Sequence, residues 1–156
     1  MDLLLVLDLD GTLLLRKHKK IHKRKYLNEF LEYCFNNYNV AIYTSMLKNN
    51  MQATLNTIMT PNQIDKLLFI WCREYTIPDP DPINRWDTIK SIKLIQDVYN
   101  YHIILVDDSE RKVRFENPNN IILVKQFIDV NESENELKEL QVKIENKFLL
   151  LKEKNV

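Results

Sequence analysis

The stretch Leu3-Leu4-Leu5-Val6-Leu7-Asp8-Leu9-Asp10-Gly11-Thr12 decides the fold of this chain. Its five consecutive aliphatic residues are typical of a strand that is buried on both faces of a parallel sheet. Asp8 and Asp10 follow, and two side chains that are two residues apart in an extended chain point to the same side. Gly11 is the single glycine in 156 residues, and glycine permits a positive φ and a close backbone approach to a ligand. This order of residues predicts a functional site at the end of the first strand, although Gly11 alone also fits a simple tight turn.

Similar short apolar runs predict further strands at residues 40–43, 67–70, 103–106 and 121–124. Between these runs, apolar residues at helical spacing predict helices over 26–38, after a Ser45 cap, after an Asp87 cap, and over 132–152. Strands that alternate with helices indicate a three-layer α/β/α architecture around a central parallel sheet. In such a sheet the ligand lies beyond the carboxyl ends of the strands, at a switch point in the strand order.

Length and composition narrow the class of protein. At 156 residues, with 45% hydrophobic and 28% charged residues, the chain is predicted to form one globular domain over residues 1–156. The formal net charge of zero argues against binding of polyanions by bulk charge. No apolar run reaches the roughly 18–20 residues that span a bilayer, and the acidic start is unlike a signal peptide. Together with two cysteines that lack metal spacing, Cys34 and Cys72, this predicts an intracellular protein, cytoplasmic or nuclear, without a membrane partner.

Carboxylates follow two of the predicted strands. Asp8 and Asp10 end the first strand, and Asp107 and Asp108 end the fourth. Carboxylates that crowd together repel one another, and a hard divalent cation relieves this repulsion. We therefore predict a Mg²⁺ site formed by these four aspartates, although Asp107-Asp108 taken alone also fits a simple turn at the end of a strand.

Groups that could bind a phosphate follow the second strand and precede the fourth. The hydroxyls of Thr44 and Ser45 can donate to phosphate oxygens, and the start of a helix favours an anion. Such a pair alone is more often simply a helix cap. Lys90, in the first turn of the predicted Asp87 helix, is the expected counter-charge for the phosphate, in preference to Lys93 one turn further along.

The segment Arg16 to Lys25 reads RKHKKIHKRK and holds seven lysines or arginines. It lies between the first strand and the first helix, in a short flap beside the predicted site. Three interpretations remain open: a solvated hairpin, a nuclear localisation signal, and a surface that attracts a polyanion.

These motifs resemble those of the haloacid dehalogenase-like (HAD-like) superfamily of phosphatases. Residues 8–12 fit its Asp-x-Asp-x-Thr motif, Thr44 its second motif, Lys90 its third, and Asp107-Asp108 its acidic pair. Other segments are similar to the FCP1/SCP-like branch, whose members dephosphorylate the carboxy-terminal tail of RNA polymerase II. The segments that carry this similarity are 23–31, Ile42-Tyr43-Thr44-Ser45, Trp71-Cys72-Arg73-Glu74 and Val106-Asp107-Asp108-Ser109.

The resemblance implies a Mg²⁺-dependent phosphomonoester hydrolase in which Asp8 is the nucleophile and forms an aspartyl-phosphate. Asp10 would be the general acid and base, and Thr12 together with Gly11 would shape the loop. About 15 residues separate Thr12 from the next predicted helix, so no cap domain fits and a macromolecular substrate is expected. The favoured substrate is a phosphoprotein tail, which implies a protein serine/threonine phosphatase. The alternatives are a polynucleotide 3′-phosphatase and a non-catalytic scaffold that binds phosphopeptides.

Overall fold

The computed structural model describes residues 2–131 and 133–154. Its strands are β1 (Asp2–Leu7), β2 (Leu14–Lys17), β3 (Lys20–Lys23), β4 (Asn39–Tyr43), β5 (Ile70–Trp71), β6 (Ile77–Pro78), β7 (Thr88–Ile89), β8 (Tyr101–Asp107) and β9 (Ile121–Leu123). Its helices are α1 (Leu27–Asn37), α2 (Lys48–Ile58), α3 (Pro61–Lys66), α4 (Ile92–Gln96), α5 (Glu110–Val113) and α6 (Glu136–Glu153).

The central sheet has five parallel strands in the order β5-β4-β1-β8-β9. The apolar strand β1 lies in the middle, where Leu5 is paired with Val40 of β4 on one side and with Ile104 of β8 on the other. The chain first builds the sheet to one side of β1 and then returns to the other side. The carboxyl ends of β1, β4 and β8 therefore meet at the point where the strand order reverses, which is where such sheets bind their ligands.

The two faces of β1 contribute to two separate cores. Leu5 and Leu7 belong to the core that also contains the buried residues of α1, α2 and α6, whereas Leu4 and Val6 pack with those of α4 and α5. This alternation explains the unbroken aliphatic run, because a strand with helices on both faces must be apolar at every position. The predicted three-layer α/β/α architecture is confirmed.

Two element boundaries in the first half of the chain differ from the sequence-based predictions. The third strand was expected at residues 67–70, but the ladder with β4 forms at Ile70–Trp71. The backbone amide of Leu68 already donates to the carbonyl of Val40, so the segment approaches the sheet before it pairs regularly. The helix expected after a Ser45 cap begins at Lys48 with Leu47 as its N-cap, which leaves Ser45 in the loop beyond β4.

The prediction that Asp87 caps the next helix is wrong. The Asp87 carboxylate accepts hydrogen bonds from the backbone amides of Ile83 (3.1 Å) and Asn84 (2.9 Å), and so closes a loop instead of starting a helix. Thr88–Ile89 then pairs antiparallel with Ile77–Pro78, and α4 begins two residues after Lys90. Lys90 is therefore in the connection between β7 and α4, not in the first turn of a helix.

The final helix begins later than its predicted start at residue 132. Glu132 itself lies outside the described residues, and residues 133–135 are not helical. From Glu136 onwards the predicted apolar positions face the core, and the fully buried ones are Leu137, Leu140, Ile144 and Phe148. The short helices α3 and α5 were not predicted, because neither is long enough to show a helical repeat.

The two places where a cap could be inserted hold only small antiparallel strand pairs in the described chain. The β2–β3 hairpin follows β1, and the β6–β7 pair precedes α4. The carboxyl edge of the sheet is thus left open. Across residues 2–131 and 133–154, no helix is both long and apolar enough to cross a membrane.

Candidate active site

A buried ion cluster joins three strand connections at the carboxyl edge of the sheet. The Lys90 ammonium donates to Asp8 Oδ1 (2.9 Å) and to Asp107 Oδ2 (2.5 Å). The Lys90 side chain is 0% exposed, and those of Asp8 and Asp107 are 9% and 1% exposed. One lysine therefore neutralises part of the charge of two buried carboxylates, one at the end of β1 and one at the end of β8.

Burial and charge shift the pKa values of this cluster in opposite directions. Burial raises the pKa of Asp8 to about 6, although Lys90 opposes the shift. Burial also raises the pKa of Asp107 and of Asp108. Burial alone would lower the pKa of Lys90, but the charges of Asp107 and Asp8 outweigh it and raise that pKa. The cluster holds more negative charge than Lys90 compensates.

Thr12 and Gly11 shape the loop around these carboxylates. The Thr12 hydroxyl lies 3.0 Å from Asp8 Oδ2 and 3.2 Å from Asp108 Oδ1, and its hydrogen can be donated to one of them at a time. Gly11 has a φ of 84°, and a Cβ atom at this position would collide with the Asp108 carboxylate. A side chain at position 11 would thus be strained and would displace Asp108, which explains why the single glycine is found here.

A pocket of about 430 Å³ opens above the cluster. Of the residues predicted for the site, Asp8, Asp10, Thr44, Ser45, Asp107 and Asp108 line it. Lys90 does not line it, because its ammonium is buried beneath the two carboxylates. Further lining residues were not predicted from the sequence: Met46, Ser109, Lys112 and Gln126.

Asp10 differs from the other aspartates. Its side chain is exposed, and Oδ1 accepts a hydrogen bond from the backbone amide of Arg16 (3.2 Å), in β2 next to the tip of the β2–β3 hairpin. Carboxylate oxygens of Asp8, Asp107 and Asp108 all lie within 4.8 Å of one another, and the Asp10 carboxylate is outside this cluster. The structure thus separates the exposed Asp10 carboxylate at the pocket rim from the less exposed carboxylates of Asp8, Asp107 and Asp108.

The hydroxyls of Thr44 and Ser45 line the pocket beside the end of β4. Thr44 Oγ1 accepts from the backbone amide of Met46 (3.1 Å), so the Thr44 hydrogen is still available to a ligand. Ser45 Oγ is buried and has no hydrogen-bond partner among the described residues. An unpaired buried hydroxyl costs free energy, and the oxygen of an anion bound in the pocket would satisfy it.

The cluster of Asp8, Asp107 and Asp108 fits a Mg²⁺ ion, since its donors are hard oxygens and its negative charge is in excess. The three aspartates are not equally free to bind a metal. Asp107 Oδ2 accepts from Lys90, and Asp107 Oδ1 accepts from the backbone amide of Ser109 (2.8 Å). Asp108 is only partly buried and lines the pocket. This position at the pocket favours Asp108 over Asp107 as a direct ligand of Mg²⁺.

Lys112 brings a positive charge to the pocket wall that the sequence analysis did not identify. Its ammonium donates to the carbonyl of Thr88 (3.1 Å), and within the described residues it forms no ion pair with a carboxylate. Burial and the nearby Lys90 lower the pKa of Lys112. Helical periodicity could not identify Lys112, because α5 has only four residues.

Arg24 holds the loop after β1 in place, although its position in the sequence suggested one more exposed charge of the basic segment. Arg24 is 1% exposed and pairs through Nε and Nη2 with both oxygens of Glu134, at 2.7 and 2.9 Å. Its Nη1 donates to the carbonyl of Thr12 (3.0 Å), and its Nη2 donates to that of Lys125 (2.7 Å). One guanidinium thus joins the loop after β1 to the segment before α6.

Comparisons with known proteins agree with this fold. Residues 3–155 match the model of the family described as NLI interacting factor-like phosphatase. An uncharacterised FCP1 homology domain-containing protein of Schizosaccharomyces pombe is 29% identical over 150 residues, which cover 80% of this chain and 61% of that protein. A variant of the fission yeast RNA polymerase II CTD phosphatase Fcp1, solved with beryllium fluoride, superimposes with a TM-score of 0.60 and 14% identity over 97% of this chain and 51% of that one. Another structure of Fcp1, described as an essential RNA polymerase II CTD phosphatase, gives a TM-score of 0.60 and 15% identity over 97% and 49%.

The fold is thus an uncapped HAD-like phosphatase fold, and the family match extends over nearly the whole chain. The chain belongs to the NLI interacting factor-like phosphatase family, which confirms the resemblance to the FCP1/SCP-like branch. This chain spans about half to three fifths of the length of these relatives. At their low identity, the solved structures establish the fold alone.

Asp8→Asn is expected to stabilise the metal-free protein at neutral pH. The pKa of Asp8 is about 6 in the folded state against 3.8 for the free side chain, so the folded state binds the proton more tightly. The contribution of Asp8 to stability therefore falls as the pH rises from about 4 to about 6, by roughly 3 kcal/mol. Urea unfolding in EDTA should show the variant more stable at pH 7 and equal to the wild type near pH 4. An Asp8→Asn protein that is less stable than wild type at pH 7 would contradict this account.

Arg24→Met is expected to lower the free energy of unfolding by about 3–5 kcal/mol, because it removes a buried guanidinium and leaves the partly buried Glu134 carboxylate and the carbonyls of Thr12 and Lys125 without their donor. Urea unfolding at pH 7 measures the difference. Arg16→Met is the matched control, since Arg16 is an exposed arginine in the same segment and should change stability by no more than about 0.5 kcal/mol. Equal stabilities of the two variants would show that Arg24 does not hold the loop.

Proposed function

We propose that this chain is a Mg²⁺-dependent phosphomonoester hydrolase and acts as a protein serine/threonine phosphatase inside the cell, in the cytoplasm or nucleus. The observation that carries the proposal is the pairing of Asp8 with buried Lys90 at the floor of a pocket that also holds Asp10, Thr44 and Asp108. Membership of a phosphatase family supports it. We further propose that residues 1–156 fold as a single domain.

Asp8 is the nucleophile in this proposal. Lys90 binds Asp8 Oδ1 and Thr12 donates to Oδ2, so the carboxylate is held in one orientation towards the pocket. Attack by Asp8 on phosphorus forms a new P–O bond and breaks the bond to the leaving oxygen of the serine or threonine. The product of this step is an aspartyl-phosphate, and the substrate hydroxyl leaves with one proton.

Asp10 supplies that proton. Its carboxyl group is exposed at the pocket rim and is oriented by the Arg16 amide, so it can exchange protons with the leaving group and with water. In the second step Asp10 takes a proton from the water that attacks phosphorus. This attack regenerates the Asp8 carboxylate, releases inorganic phosphate and returns Asp10 to its starting protonation state.

The remaining pocket residues hold charge or phosphate oxygens. Asp8 and Asp108 would hold Mg²⁺, together with the backbone carbonyl of Asp10, while Asp107 positions Lys90. When bound, the ion supplies positive charge that offsets the carboxylates and the transferred phosphoryl group. Thr44 and Ser45 donate hydroxyl hydrogens to phosphate oxygens, and Lys90 and Lys112 contribute the positive charge of the protein itself.

The open carboxyl edge of the sheet supports a macromolecular substrate. Among the described residues, the two places where a cap could be inserted hold only the two small strand pairs. An extended polypeptide can therefore reach Asp8 without the opening of a cap. The structurally similar Fcp1 is described as an RNA polymerase II CTD phosphatase. A phosphorylated tail of this type is therefore the substrate class that we propose.

Asp8→Asn is expected to reduce phosphate release at least about 10³-fold, because an amide cannot attack phosphorus as a carboxylate does. The measurement compares p-nitrophenyl phosphate, phosphoserine peptides and 3′-phosphorylated oligonucleotides, each with Mg²⁺ and with EDTA. Asp97→Asn, which removes an exposed carboxylate, is the control and should retain full activity. Equal activity of Asp8→Asn and wild type would disprove the nucleophile. Hydrolysis of the oligonucleotide alone would favour a polynucleotide 3′-phosphatase, and no hydrolysis of any substrate would favour a scaffold.

Lys112→Met is expected to weaken inhibition by inorganic phosphate about 10- to 100-fold, since a hydrogen bond to a charged group contributes about 1.5–3 kcal/mol. The inhibition constant is measured with p-nitrophenyl phosphate as substrate. Lys93→Met is the control, because Lys93 is an exposed lysine that pairs with Asp97 away from the pocket. Unchanged phosphate inhibition in Lys112→Met would remove Lys112 from the phosphate site.

A further inference from the structure

The β2–β3 hairpin carries a concentrated positive charge that the reaction proposed above does not use. Its exposed cations are Arg16, Lys17, Lys19, Lys20 and Lys23, and the exposed Lys25 follows two residues after the hairpin. None of them forms an ion pair with a carboxylate in residues 2–131 or 133–154. The segment belongs to a chain with a formal net charge of zero, so this is a local concentration of charge.

The geometry of the hairpin places like charges together. His18 and Lys19 form the turn with φ values of 53° and 63°, as a two-residue turn between antiparallel strands requires. Lys17 is directly opposite Lys20 in the strand register. Like charges at opposite positions destabilise a strand pair, so an anion bound between them would relieve a repulsion that the free hairpin carries.

The hairpin is anchored to the core and to the pocket rim. Leu14 is fully buried, and Ile21 packs against the core that contains α1 and α2. The Gly11 amide donates to the carbonyl of Leu14 (2.8 Å), and the Arg16 amide donates to Asp10. The basic side chains therefore stand on an ordered surface that begins at the catalytic loop itself.

The reach of the hairpin indicates what it contacts. Arg16, the residue before Lys17 at the tip, donates its amide to Asp10, so the tip begins next to the pocket rim. The described residues that line the pocket include none of the exposed cations of the hairpin. Exposed charges act over about 10 Å at 0.1 M salt, so the hairpin acts on charges a few residues from the phosphate in the pocket, and not on that phosphate itself.

The composition of the hairpin favours a polypeptide over a nucleic acid. Residues 14–25 contain no Phe, Tyr or Trp, and the next ring, Tyr26, is covered by the ammonium groups of Lys25 and Lys138, so the hairpin offers bases only the rings of His18 and His22. Most of the exposed cations are lysines, which bind anions as point charges and not as planar bidentate donors. Scattered carboxylates or phosphates of a flexible peptide fit such a surface.

We propose that the β2–β3 hairpin is a docking surface for acidic or additionally phosphorylated residues of a polypeptide substrate, a few positions away from the phosphate that enters the pocket. The inference rests on the proposed phosphatase function and adds a substrate preference to it. The hairpin selects substrates in which negative charge is clustered around the phosphorylated serine or threonine.

The test uses two phosphoserine peptides that differ only in their flanking residues, which are Asp and Glu in one and Asn and Gln in the other. The hairpin variant replaces Lys17, Lys19, Lys20 and Lys23 with Gln. The matched control replaces four exposed lysines elsewhere with Gln: Lys66, Lys143, Lys152 and Lys154. Wild type and control should prefer the acidic peptide in kcat/KM by about tenfold or more at 50 mM salt, and this ratio should approach one in the hairpin variant and in 0.5 M salt.

Binding of the same peptides, followed by fluorescence anisotropy with Asp8→Asn protein, separates this proposal from the proposed function. Loss of acidic-peptide binding only in the hairpin variant would support docking even if the wild type proved inactive. An unchanged preference in the hairpin variant, or an equal loss in the control variant, would overturn it. Equal peptide binding combined with selective loss of oligonucleotide binding would also overturn it, in favour of a nucleic-acid surface.

Discussion

The structure depends on one constraint, which is that the Lys90 ammonium must lie fully buried between two carboxylates on neighbouring strands. A buried ion cluster of this kind has a large desolvation cost, and loss of the lysine would leave two buried carboxylates with no positive charge to compensate them. The parallel pairing of β1 with β8 brings Asp8 and Asp107 together, and the connection before α4 must then deliver Lys90 beneath them. The register of the sheet and the path of the chain after β7 are thus tied to the electrostatics of the site.

A second buried cation, Arg24, stabilises the loop that follows β1. Arg24 donates to the carbonyl of Thr12 in the loop after β1 and pairs with Glu134, so this loop is tied to the segment before α6. The carboxylates of Asp8, Asp107 and Asp108 are held close together, and their burial is the main cause of their raised pKa values. Without a bound cation, the buried negative charge therefore lowers the stability of the folded protein. Such a loss of stability is common at sites where function requires concentrated charge.

Residues that obey simple periodicity were predictable from the sequence. The run before Asp8 identified the central strand, and the strand ends identified Asp10, Thr44, Ser45 and Asp108 as residues that meet at one edge. The errors arose where side chains compete for backbone groups: Asp87 closes a loop instead of capping a helix. Arg24 could not be separated from its basic neighbours, because its burial depends on Glu134, a partner 110 residues away. Lys112 was missed because α5 is too short to show a repeat.

The pairing of Arg24 with Glu134 also has a consequence for biosynthesis. At about 5–20 residues per second, a ribosome needs roughly 5–20 s to proceed from one partner to the other. During that interval the nascent chain already contains Asp8 and Asp10, but Glu134, the partner of the arginine that holds their loop, has not yet been synthesised. Lys90 is also added 82 residues after Asp8. The buried ion cluster and the Arg24–Glu134 pair are thus completed only after Lys90 and Glu134 have been synthesised.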